Sequence, residues 1–169
     1  MSKEQSTIGV RAALLCCGYN IGYYTTSDIE RWAVQQLDAC DKPPMALIDL
    51  TILRDMNPID VMNLLRSLGG TLSPSLTIEM QIGFIGLLYD AKRLSLEMAV
   101  EKVCALVYDE GVTQHQREMM YWLGEMFYLA FAESIGTVAQ VESEFRSFVR
   151  PYADTLKAQE AEILGESIA

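Results

Sequence analysis

Helix start signals recur along this chain so regularly that they leave no room for a sheet. Ser27 with Glu30, Thr113 with Gln116 and Thr137 with Gln140 fit the reciprocal capping box, in which each side chain satisfies a backbone N–H at the other's position. Asn57-Pro58 and Ser73-Pro74 place a capping side chain before a proline, and Ser95 caps a further segment. Proline suits the first helical turn because its missing N–H would have no partner there. Apolar residues follow each signal at spacings of three and four, and no stretch shows strand-like alternation between hairpin turns. The reading is all-α: one compact multi-helix domain of seven to nine helices over residues 1–169, more than ~60% helical against a base rate of ~30–35%, with ends at 1–6 and 165–169 expected to fray.

These signals set the expected elements. A first helix over 7–17 is broken by Gly18 and Gly22. A second opens at Ser27 and buries Ile29, Trp32, Ala33, Leu37 and Cys40 along one face. Pro43-Pro44 starts a short helix over 45–53, and Gly69-Gly70 closes the one begun at Asn57. The helix from Ser73-Pro74 is apolar on nearly every side and should be central. Ser95 opens a helix reaching Tyr108. The long helix from Thr113 carries Met119, Met120, Trp122, Leu123, Met126, Phe127 and Phe131, read as core, and Pro151 predicts a kink or break in the last helix. Trp32, Leu37, Leu65, Ile85, Leu88, Leu123, Phe127 and Phe145 are expected to be hidden, and Gly83, Gly86 and Gly124 to serve close packing.

Charge narrows the partners. The chain has 13 basic and 23 acidic residues, a net charge of -10. Such a field repels a phosphate backbone and an anionic membrane surface, so neither nucleic acid nor membrane is expected as a partner. The surplus sits in three segments, 28–60, 97–125 and 133–166, each with a net charge of -4. Apolar stretches at 76–89 and 119–132 are about 14 residues long and interrupted by Glu79 and Glu125, too short to span a bilayer. At the N-terminus Arg11 interrupts the apolar run, and Leu15 rather than a small residue precedes Cys16, so no export signal is read. Cys16, Cys17, Cys40 and Cys104 lack CxxC spacing and read as reduced thiols, which places the chain in the cytoplasm.

Catalytic equipment is sparse. His115 is the one histidine, and with Glu118 it could form part of a metal site, but a zinc set needs more ligands. Glu97, Glu101, Asp109 and Glu110 lack the spacing of a magnesium-binding acid cluster, and Lys102 stands among them. A Cys16 or Cys17 nucleophile with His115 as base has no support in spacing. Gly69-Gly70 lacks the lysine of a phosphate loop. No catalytic residue, metal or cofactor is assigned. Tyr19, Tyr23 and Tyr24 either close the core or anchor a partner.

The first acidic segment holds the most distinctive pattern: Trp32-Ala33, then Asp38, Asp41, Lys42, Pro43-Pro44 and Asp49-Leu50. Over the first 70 residues this resembles the small, acidic, all-helical immunity-type proteins of bacterial polymorphic toxin systems. The resemblance implies a non-enzymatic cytoplasmic protein that binds and neutralises one basic toxin. Independently, the charge around the prolines makes Asp38, Asp41, Asp49 and Asp55 the partner-contact candidates. Two other readings stay open: a small helical Mg-dependent hydrolase, and a self-associating structural or regulatory subunit.

Overall fold

A computed structural model describes residues 3–69 and 72–164. The chain is 75% helix, and the described residues form eight α-helices and one 3-10 turn with no strand. The predicted fraying at 1–6 and 165–169 and the role of Gly70 fall largely on residues outside this description. By contacts the chain forms two compact units, Met1–Leu72 with Gln159–Ala169, and Ser73–Ala158. No linker-like composition marks the division.

The first unit holds α1 (Lys3–Ile21), α2 (Thr26–Asp38), α3 (Met45–Asp49) and α4 (Pro58–Ser67). Helix α1 runs through Gly18 instead of stopping there. One interior glycine costs only about 1 kcal/mol against alanine, and the true stop is stronger: Gly22 adopts φ +89°, Tyr23 N–H donates to Gly18 C=O at 2.8 Å, and Gly22 N–H to Tyr19 C=O at 3.1 Å. That pairing is a Schellman close. The capping box of α2 is Thr25 with Asp28, two residues before the expected Ser27 and Glu30. Both pairs fit the pattern; the earlier one caps, and Glu30 instead accepts the Leu53 N–H at 2.9 Å. Pro44 is the cap of α3, which stops at Asp49 rather than reaching residue 53. Asn57 caps α4 as expected, accepting the Asp60 N–H at 3.0 Å. The core joins Leu14 and Leu15 of α1, Ile29 and Trp32 of α2, Leu47 of α3, and Val61 and Leu65 of α4, all essentially inaccessible. Of the loop tyrosines, Tyr24 is buried and donates to Glu160.

The second unit holds α5 (Pro74–Asp90), α6 (Leu96–Ala105) continued by a 3-10 turn (Leu106–Tyr108), α7 (Gln114–Phe131) and most of α8 (Val138–Leu164). Helix α5 is buried on every side from Met80 to Leu88, the central element its composition predicts. Gly83 and Gly86 let α8 approach: a Cβ at Gly83 would stand 2.9 Å from Tyr152 O, and one at Gly86 would stand 3.1 Å from a Val149 methyl. Ser95, Thr113 and Thr137 cap as expected. Helix α8 passes through Pro151 without a break.

Two of the eight residues expected to be hidden are not. Leu37, in the last turn of α2, and Phe127 are half-buried. The reading of 119–131 as core is also corrected. Met120, Leu123 and Ala130 are buried, but Tyr121, Trp122, Tyr128 and Phe131 are exposed. An amphipathic helix hides one stripe, and aromatic residues on the other faces of α7 misled a reading based on hydrophobicity alone. No helix among the described residues is long and apolar enough to cross a membrane.

Candidate functional site

The early end of α3 shapes a surface groove of the first unit. Because α3 closes after five residues, the chain turns back through residues 50–57 before α4, and an apolar groove opens between the two helices. It has a volume of about 470 Å³, with Ile48, Ile52, Met56 and Leu64 lining it and Asp49, Asp60 and Asn63 among its polar margins. Ile52 is 72% exposed, although a large aliphatic side chain gains about 1.5–3 kcal/mol from full burial. Met45 and Ile59 on the same helices are exposed as well.

Polar contacts hold the groove in shape. Glu30 of α2 fixes the backbone at Leu53, midway along the returning segment. Asp55 takes a left-handed conformation, φ +77°, which turns the chain toward α4. Asn57 then caps α4, and its side-chain amide donates to the Asp60 carboxylate. A carboxylate in the first turn also meets the positive end of the helix dipole. The geometry suits a ligand with an apolar anchor and neighbouring positive charge.

Of the four sequence-derived candidates, the structure brings Asp49 to the groove and places Asp55 in the segment that shapes it. Asp38 ends α2, and Asp41 lies in the loop before α3; both are exposed and neither lines the groove. Sequence reasoning missed Asp60 and the apolar lining. It saw Asn57-Pro58 as punctuation and had no signal that Ile48, Ile52 and Leu64 would meet.

None of the remaining chemical candidates lines the groove. Glu118 accepts from Gln114 at 2.8 Å, while His115 borders a hollow of about 260 Å³ with Glu144, Phe148 and Tyr152. Among the described residues no three His, Cys, Asp or Glu side chains group closely enough to hold a metal ion. Burial raises the pKa of Cys16 and Cys104 and pushes that of Cys17 up to about 12, keeping all three thiols neutral near pH 7. Their nucleophilicity is correspondingly low. No family model matches the chain, and neither a curated protein nor a solved structure matches it.

Proposed function

We propose that this protein is a non-enzymatic acidic binding module whose α3–α4 groove receives an apolar anchor from a basic protein partner. The observation that carries the reading is the exposed aliphatic groove with Asp49 and Asp60 at its margins. Opposite charge speeds encounter, while a desolvated apolar anchor lengthens the life of the complex. The immunity-type inhibitor of a bacterial toxin is the specific form of this reading, supported by the resemblance around Trp32-Ala33 and Pro43-Pro44 and by the acidic surplus at 28–60.

The test starts by isolating the partner from the native cell and examining neighbouring reading frames for a toxin-like product. Association is then measured at low and high salt with folded variants. Asp49→Lys should slow association several-fold at low salt and flatten its salt dependence, whereas Ile52→Ala should leave association nearly unchanged and speed dissociation roughly tenfold. Unaltered kinetics in both variants would remove the groove from the proposal. Specific Mg²⁺ binding by the purified protein would redirect it to the hydrolase alternative.

A further inference from the structure

The walls of the α3–α4 groove present apolar side chains and carboxylates but little main-chain hydrogen bonding. Ile48, Ile52, Met56 and Asp60 give their backbone N–H groups to the C=O of Pro44, Asp49, Leu53 and Asn57. Asp49 ends α3, and Asn63, Leu64 and Ser67 lie inside α4, where an N–H bonds to the turn before. An extended segment laid here would bring a row of its own N–H and C=O groups against Ile48, Ile52 and Leu64 with no main-chain donors to answer them. Main-chain groups buried without partners are costly. A helix arrives with those groups already bonded to one another.

Size and charge agree with a helical occupant. Asp60, Asn63, Leu64 and Ser67 stand at i, i+3, i+4 and i+7, one face of α4. At 1.5 Å per residue that face is about 10 Å long, two turns of a partner helix and room for two apolar side chains four residues apart. Ile48 and Ile52, also four apart, line the groove from the α3 side. Asp49 of α3 and Asp60 of α4 have no ion pair among the described residues. Arg54 and Arg66, the bases of this stretch, do not line the groove.

We infer that the occupant is a two-turn amphipathic helix of a protein partner, with apolar anchors at i and i+4 and Lys or Arg at i+1 and i+3. On a helix those two basic positions flank the anchors, one on each side. One cation then faces Asp49 and the other Asp60. The inference rests on the groove being the partner site and adds the form of the ligand: recognition of a helix in a groove, carried by side chains. Salt screens the cations but not the anchors, so affinity falls with salt without vanishing.

Chemical-shift titration of the full chain with model peptides tests this. The probe, about 15 residues long, carries Leu-Lys-Ala-Lys-Leu at its centre and a hydrocarbon staple on the opposite face, because a free peptide of that length is only marginally helical in water. A second peptide exchanges the central alanine for proline and omits the staple, which breaks the helix and keeps anchors and charges. A third exchanges both lysines for glutamates. The stapled probe should bind with a Kd of ~10–500 µM, and the other two at least ~10-fold more weakly. Ile52→Lys, at an exposed position, should weaken the stapled probe at least ~10-fold while circular dichroism shows an intact fold. Equal affinity for the stapled and proline peptides would overturn the helical form and leave the groove as the partner site. No binding of the stapled probe at ~1 mM, or binding indifferent either to Ile52→Lys or to the loss of the lysines, would overturn the inference as well. Failure of the groove itself shows separately, in unaltered kinetics of the native partner with Asp49→Lys and Ile52→Ala.

Discussion

Asp55 holds a backbone conformation that costs most L-residues about 1–2 kcal/mol. It stands at φ +77° in the segment between α3 and α4, and Lys92 and Glu133 hold φ +58° and +54° just past α5 and α7. Short polar side chains tolerate this region best, so Asp55→Asn should be nearly neutral. Asp55→Val should lower stability by about 1–2 kcal/mol and distort the groove. Lys92 is the converse case. Its N–H donates to Tyr89 C=O and Arg93 N–H to Leu88 C=O, closing α5 as glycine usually does. Lys92→Gly should therefore raise stability by up to about 1 kcal/mol in chemical denaturation, and a loss of that size would contradict the reading. The sequence announces stops made by glycine, such as Gly22 and Gly69. It gives no sign of those made by Lys92 and Glu133, because the path of the chain beyond each helix imposes the conformation there.

At the scale of elements, α5 and α8 depend on the absence of two side chains. A methyl at Gly83 would lie 2.9 Å from the carbonyl oxygen of Tyr152, and backbone yields less readily than a side-chain tip. Alanine gains up to about 1 kcal/mol in helix propensity, but overpacking costs typically 1–3 kcal/mol. Gly83→Ala should thus destabilise by about 1–2 kcal/mol net. Gly86→Ala, which meets a Val149 side chain able to shift, should cost less. Equal stability gains in both variants would show that the helices are not in close contact. This packing was legible in the sequence, as were the caps at Asn57, Ser73, Ser95, Thr113 and Thr137, because each is a local chemical pattern. The groove was only half legible. Its acids stand out in composition, but its lining depends on α3 ending at Asp49, and local propensity did not distinguish that stop from residue 53. On α7 the apolar spacing did not say which faces the fold would cover: Met120 and Leu123 are buried, while Tyr128 and Phe131 are exposed.

For the molecule as a whole, acid surplus is a standing cost, since a net charge of -10 makes the folded chain repel itself. Thermal stability at pH 7 should therefore rise as salt screens that repulsion. Acid acts in the other direction through carboxylates bound in the fold. Glu142 accepts from the Tyr89 hydroxyl at 2.7 Å and from Arg146, which also pairs with Asp90 and lies 4.7 Å from the Tyr89 ring centre. The Tyr89 hydrogen bond first, and then Arg146, hold the Glu142 carboxyl below its ordinary range. A carboxylate with a depressed folded pKa contributes stability that is complete above its unfolded value, near 4.3, and is lost as pH falls through the lower folded value. The loss belongs to the window from about pH 4.5 downward, not to the neutral range. Melting temperatures from pH 7 to 3 at fixed salt should be nearly flat above pH 5 and then fall. In Glu142→Gln that acid-side fall should be shallower, because no proton can be taken up at this position. Tyr89→Phe should also flatten it by removing the donor that depresses the pKa, so a fall unchanged in both variants would show that other carboxylates govern acid unfolding.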